Sequence, residues 1–231
     1  AGVAVRQQFY GNAVAAEHDL YVSGRAEYGE ALDSLLPHIR HRRAFGAYAR
    51  RIGLERTFKP GHYVLKPGMS VIEVARMLKL GMQTPVRVTI NNVRTPAQLA
   101  GKLARQIEAD SATIVGALTD PATARKAGLD SVTLFSMFIP DTYEFYWTVS
   151  PAQFIERMRR EYDRFWTPQR DAKRQRSGLS RLEVMTLASI VYEETRQSDE
   201  MPRIAGVYIN RLRKGWPLQA DPTVKYALQE F

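Results

Sequence analysis

Cysteine is absent from this chain, which excludes disulfides and thiolate metal sites. Histidine is scarce as well. Of the four, only His38 and His41 lie close together, among arginines, while His18 and His62 stand apart, so the spacing offers no metal-ligand set and no cofactor is expected. Long apolar runs are also missing. No stretch of about 18 apolar residues is available to cross a bilayer. Residues 1–10 lack the basic start and apolar core of a secretory signal. What remains is a chain of 231 residues with an apolar share of 45%, enough for one large domain or two small ones.

Positive charge is in excess, 33 lysines and arginines against 24 acids. The balance favours anionic partners such as acidic polysaccharide, lipid or nucleic acid. The clusters at Arg40–Arg43 and Arg170–Arg176 have an ordinary explanation in solvated helix faces and loops. No RNP, zinc-finger or helix-turn-helix signature is present, so nucleic acid is not the expected partner.

The first half carries a weak repeat in which a short strand leads through a polar turn into an amphipathic helix. Residues 19–23 precede a helix over 28–36 with Ala31, Leu32, Leu35 and Leu36 on its apolar face. Residues 63–65 precede the turn Lys66-Pro67-Gly68-Met69 and a helix over 70–80, where Ser70 and Glu73 form a capping box and Gly81 closes the end. Residues 86–90 alternate as a half-buried strand and lead to a helix over 95–107 with Leu99, Leu103 and Ile107 in line. Beyond Ala109 the pattern turns mostly helical. Asp110 or Ser111 caps one helix, and Asp120-Pro121 starts the next. SMFIPDTYEFYWT (136–148) gathers five aromatics and reads as a buried loop or short strand, with core packing as the ordinary role and a saccharide platform as the alternative. A helix over 151–165 follows, then a charged connector over 168–178. Ser180 and Glu183 cap the helix after it, and one more helix runs from near Pro202 to near Gly215, with Ile204, Val207, Tyr208 and Leu212 on its apolar stripe.

Within LASIVYEET (187–195), one carboxylate falls on an apolar stripe. At about 100° per residue, Leu187 and Glu194 end only about 20° apart, in line with Val184 and Val191. An acid in that place is costly unless it is paired, protonated or used. Helix geometry alone allows an ion pair with Arg196, Arg203 or Arg211 as readily as a catalytic role.

ASIVYEET (188–195), PRIAGVYINRL (202–212), PLQADPTVKYAL (217–228) and PDTYEF (140–145) together resemble the MltG/YceG-like endolytic murein transglycosylases. GHYVLKPGMSVIEVARMLKLG (61–81) looks like that family's LysM-like module. The resemblance runs from about Gly61 onward in the family's order. It implies an α+β chain: a strand–helix region over 1–60, a LysM-like region over 61–108, and a mostly helical, lysozyme-like catalytic domain over 109–231. It also implies that further catalytic segments follow Phe231. Family members usually read Glu-Lys-Glu-Thr where this chain has Tyr192-Glu193-Glu194-Thr195, which matches the second acid to Glu194 and leaves Glu193 at a variable position. A second departure is Asn91-Asn92, where relatives often show Glu-Gly.

The activity so implied is non-hydrolytic cleavage of the MurNAc-β-1,4-GlcNAc bond of peptidoglycan, leaving 1,6-anhydro ends and limiting nascent strand length. One carboxyl can protonate the leaving oxygen and then, as carboxylate, take the proton of the C6 hydroxyl that closes on C1. Ordinary glycosidases need two carboxyls. An apolar setting around Glu194 would favour the protonated form that the first step requires. Asn210 and Gln219 are amides suited to gripping acetamido and hydroxyl groups. Asp221-Pro222-Thr223 reads as a turn that caps a helix over 224–228, with Asp221 and Thr223 also placed to orient a sugar. Tyr226 lines the cleft or packs. The expected partners are peptidoglycan strands and, by the resemblance, peptidoglycan synthases. The expected place is the periplasmic face of the inner membrane, through an anchor absent from this chain. The rivals are a non-catalytic peptidoglycan-binding module and a hydrolytic muramidase with Asp221 as second acid.

Overall fold

The computed structural model describes residues 2–228, with side chains from Arg6 onward. Phe231, beyond which the resemblance places further catalytic segments, lies outside the described residues. In chain order the elements are α1 (Gly2–Tyr10), β1 (His18–Val22), α2 (Tyr28–Leu35), α3 (Arg42–Arg51), α4 (Leu54–Thr57), β2 (Gly61–Leu65) and α5 (Val71–Leu80). Then come β3 (Val86–Ile90), α6 (Pro96–Leu103), α7 (Ser111–Thr119), α8 (Pro121–Lys126) and β4 (Asp141–Phe145). Five helices finish the chain: α9 (Pro151–Phe165), α10 (Pro168–Ser177), α11 (Arg181–Glu194), α12 (Met201–Arg213) and α13 (Asp221–Leu228). This is the expected α+β composition. The contacts divide it into two compact units, Ala1–Thr123 with Pro140–Ile155, and Ala124–Ile139 with Glu156–Phe231.

In the first unit the strands form two antiparallel pairs, each with three α-helices between its two strands in sequence, rather than three strand–helix pairs. β1 pairs antiparallel with β2, His18 opposite Leu65 and Val22 opposite Gly61. β3 pairs antiparallel with β4, Val86 opposite Phe145 and Ile90 opposite Asp141. Alternation places Leu20, Val22, Tyr63 and Leu65 inward on one ribbon, and Val88, Ile90, Tyr143 and Phe145 inward on the other. The aromatic segment therefore becomes a short strand, preceded by a 3-10 turn over Leu134–Met137. These pairings join strands on either side of residues 60 and 108, where the sequence suggests boundaries. Periodicity shows which face of a strand is apolar but not which strand it will pair with.

Local end signals hold closely. Ser70 Oγ accepts the amide of Glu73 at 3.3 Å while Glu73 Oε2 accepts the amide of Ser70 at 2.7 Å, the reciprocal box that starts α5. Gly81 ends that helix at φ +67°, in the left-handed region that suits a residue without Cβ. Asp110 accepts the amide of Thr113 at the start of α7. Asn92 takes φ +46°, and Asn is among the few side chains that adopt this conformation routinely.

The second unit corrects two expectations. Residues 168–177 form the helix α10 and not a connector. Thr167 Oγ1 accepts the amide of Arg170, Pro168 occupies the first turn, and Gly178 terminates the helix at φ +79°. No apolar stripe announces this helix because its stability is polar. Asp171 accepts from Arg174 Nε at 3.0 Å and from Arg181 Nε at 3.1 Å, with a second bond from Arg181 Nη2. These bonds pin α10 to the start of α11. The second correction is at Asp221, which lies within the first turn of α13 instead of in a turn before it.

The two arginines hold the Asp171 carboxyl down at about 2, with hydrogen bonds from Arg181 as the leading cause. A depressed carboxylate contributes stability above its unfolded value near 3.9 and loses it as pH falls through the folded value. Acid titration followed by helical circular dichroism should therefore show Asp171→Asn less stable than the parent at neutral pH. The difference should shrink between about pH 4 and pH 2.

Candidate functional site

α11 is anchored by Leu187, Ile190 and Val191, which are buried with Tyr208 and Ala220 and surrounded by Leu179, Met201, Ile204, Ala205, Ile209 and Leu218. Full burial of each such aliphatic side chain stabilises by about 1.5–3 kcal/mol. The helix packs against both α12 and α13. Glu194 continues the stripe of Leu187 and Val191 by one more turn, but it is the last residue of α11 and is exposed. The apolar enclosure expected for it is therefore not formed around it by the described residues.

An arginine partner is not formed either. Arg196 stands 3.7 Å from Glu193 and lays its guanidinium over the Tyr192 ring at 4.0 Å. Arg211 donates through Nη1 to the Leu218 carbonyl and, at 3.4 Å, to Gln219 Oε1. What holds Glu194 is Tyr208, whose hydroxyl donates to Glu194 Oε1 at 2.8 Å. Sequence reasoning places Tyr208 only on the apolar stripe of its helix. The residue does belong to the core, at 7% exposure, yet its polar tip emerges at Glu194. The signal that could have found it is a buried tyrosine's need for a hydrogen-bond partner.

The Tyr208 phenol is pushed up to about 12, first by burial, then by its bond to Glu194 and that group's negative charge. Asp221 pushes the same way, and Arg211 opposes. At neutral pH the phenol is therefore a neutral, committed donor. One carboxylate oxygen of Glu194 is thereby fixed by Tyr208.

The turn after Glu194 is tied down as well. Thr195 Oγ1 donates to Glu200 Oε2 at 2.7 Å and accepts the amide of Gln197 at 3.1 Å. Gln219 adopts φ +51°, a conformation that costs a side-chain-bearing residue about 1–2 kcal/mol. Such strain gathers at functional sites when surrounding contacts enforce it, and here Arg211 grips the segment from both Leu218 and Gln219.

The structure thus gathers Glu194 and Tyr208, with Asp221 and Arg211 near enough to act on the phenol and Gln219 held by Arg211. Asn210 is exposed and lies about 200° around α12 from Tyr208, away from Glu194. Thr223 directs its hydroxyl to the Ala220 carbonyl at 2.7 Å, closing the first turn of α13. Tyr226 is 51% exposed on the same helix. Among the described residues, no group of three or more histidine, aspartate and glutamate side chains converges as a metal-ligand set.

Comparison with known proteins places this geometry in context. The profile of the YceG-like family matches residues 23–231. The endolytic murein transglycosylase of Bacillus subtilis is 25% identical over 204 residues, covering 82% of this chain and 56% of that protein. That of Streptococcus pneumoniae is 24% identical over 217 residues, covering 82% of this chain and 39% of that protein. The chain therefore spans about half the length, or less, of these curated relatives. The crystal structure of a YceG-like protein from Listeria monocytogenes aligns with a TM-score of 0.57 at 24% identity, over 93% of this chain and 76% of that one. At that identity the likeness speaks for the fold.

Proposed function

Because the chain belongs to the YceG-like family, we propose that it cleaves peptidoglycan glycan strands internally and without water, as a lytic transglycosylase. The observation that carries this reading is the Glu194–Tyr208 pair at 2.8 Å, a lone carboxyl with one oxygen anchored inside the family-matched segment. In the proposed reaction Glu194 protonates the oxygen linking MurNAc to GlcNAc, and the C1–O bond breaks. The resulting carboxylate then removes the proton of the MurNAc C6 hydroxyl, whose oxygen bonds to C1. The proton is returned to the acid, and the product carries a 1,6-anhydro end.

Hydrolysis is the competing reading within enzymes. It requires a second acid to activate water, and Asp221 is the acid whose charge reaches Tyr208. Mass analysis of the new strand ends separates the two, since an anhydro end is lighter by one water.

Under the same proposal the LysM-like stretch 61–108 helps to seat the strand. The protein works on the periplasmic side of the inner membrane, beside the synthases that extend new strands, held there by an anchor outside this chain. Among the described residues, no helix is long and apolar enough to cross a membrane.

A further inference from the structure

The first unit carries a charged surface that the cleavage chemistry does not use. Helix α3 reads RRAFGAYARR, with four arginines and no acid. At about 100° per residue, Arg42, Gly46, Arg50, Arg43, Ala47 and Arg51 fall in that order across about 180° of the helix. The remaining arc carries Ala44, Phe45 and Ala49, which are buried, and the half-buried Tyr48. All four arginines are exposed, and among the described residues none of them forms an ion pair or donates a side-chain hydrogen bond.

The other basic cluster differs. In α10, Arg174 is bound to Asp171, and Arg170 lies over the Phe165 ring at 4.1 Å. On α3, Arg50 has an acid in its surroundings. The Tyr28 phenol is raised by burial first and then by the charge of Glu55, with Arg50 opposing. Arg42 and Arg43 occupy the first turn, where a cation opposes the helix dipole. Helix stability therefore does not account for the positive charge at that end.

A second observation lies at the other end of the helix. Lys79 Nζ donates at 2.7 Å to the carbonyl of Ile52, the residue that caps α3. That bond ties the end of α5 to the end of α3. There Leu80 is 68% and Met82 62% exposed, on either side of the left-handed Gly81. Guanidinium groups fork onto phosphate oxygens, and exposed aliphatic side chains beside them match a bilayer with anionic headgroups over apolar chains. Gly46 and Ala47 put no long side chain between the two arginine pairs, so a flat array of headgroups can approach all four. Nucleic acid fits less well. The cationic arc carries no aromatic ring on which a base could stack, and Leu80 and Met82 would have no part in the contact.

We propose that α3 docks on an anionic phospholipid surface, with its arginines on the headgroup phosphates and Leu80 and Met82 entering the interface. The contact is separate from any anchoring segment and does not depend on the transglycosylase reading. It fixes which side of the first unit faces the bilayer.

The test is partition of the 231-residue chain onto vesicles at about 0.15 M salt. Among the described residues no helix is long and apolar enough to cross a membrane, so binding reports the surface. Vesicles of phosphatidylethanolamine with phosphatidylglycerol should bind the chain, and vesicles of phosphatidylcholine alone should not. Each arginine near an anionic surface contributes about fivefold, so Arg42→Gln with Arg43→Gln should lower partition by about 25-fold. Leu80→Ser with Met82→Ser should lower it by about fivefold. Lys173→Gln with Arg176→Gln removes the same charge from α10 and should change it by less than about twofold. Thermal midpoints should stay at the parental value in all three. Because the chain lacks cysteine, an environment-sensitive fluorophore on Ala47→Cys reports the arginine face directly, whether or not a charge variant folds well. Its emission should shift to the blue on the anionic vesicles, and an unshifted probe would overturn the proposal. So would parental partition in either the α3 or the α5 variant. Equal loss in the α10 variant would overturn it too, by reducing the effect to net charge. Tighter binding of duplex DNA than of vesicles at equal phosphate concentration would make α3 a nucleic-acid surface instead.

Discussion

Replacing Glu194 by glutamine should lower the rate of strand cleavage by on the order of 10³-fold while leaving the fold intact. The substitution is nearly isosteric, and an amide oxygen can still accept the hydrogen bond that Tyr208 donates to Oε1. Only the exchangeable proton is lost. Because the proposed reaction uses one carboxyl both to protonate the leaving oxygen and to deprotonate the C6 hydroxyl, the change removes both steps together. Glu193→Gln is the matched control. Its side chain faces Arg196 at 3.7 Å, and its loss should change the rate by less than about threefold, as expected for an exposed ion pair. Initial rates on purified strands, with thermal midpoints for each variant, check both statements. A Glu194→Gln rate close to the parent's would move proton transfer to another group, with Glu193 the first to examine.

The second large effect is expected at Tyr208. Tyr208→Phe keeps the ring that packs with Leu187, Ile190 and Val191 and deletes only the hydroxyl that fixes Glu194. A hydrogen bond to a charged partner is worth about 1.5–3 kcal/mol, so kcat should fall by about 10–100-fold with KM within about twofold. That split separates a positioning role from simple packing, which would appear as a lower thermal midpoint with kcat unchanged. The phenol itself provides a spectroscopic readout. Ultraviolet titration should find Tyr208 ionising near its raised value of about 12 in the parent. In Glu194→Gln it should ionise at a lower pH that is still above the ordinary tyrosine range, since burial is the leading cause and persists.

How much of this was legible in the sequence depends on the range over which each feature is encoded. The α5 capping box at Ser70 and Glu73, the left-handed Gly81 and the Asp110 cap are set by residues within one turn, and the structure reproduces them. The edges of β3 follow from alternation within five residues. What binds β3 to β4 is a pairing across more than fifty residues, and no local pattern carries that information. Helix α10 was hidden for a different reason. It has no buried residue of its own, so a method that looks for an apolar stripe reads its charges as a connector, whereas Asp171 and two arginines hold it in place.

The candidate site divides along the same line. Glu194 was legible because its stripe position and the surrounding blocks lie in sequence. Tyr208 was not, because a tyrosine on an apolar stripe looks like core until the position of its hydroxyl is known. Gln219 was singled out for its amide, but its left-handed backbone and the grip of Arg211 belong to tertiary structure. Asn210 shows the reverse case. It is a suitable side chain in a matched block that helical geometry turns away from Glu194.

The central claim is that Glu194 acts alone and closes a ring, and mass analysis of cleavage products tests it most directly. Purified, uncrosslinked glycan strands digested by the full-length protein should yield new MurNAc ends lighter by one water than hydrolysed ends, and Glu194→Gln should yield none. New ends of the full, hydrated mass would contradict the account, because a second group, with Asp221 the first to examine since its charge raises the Tyr208 phenol, would then be activating water.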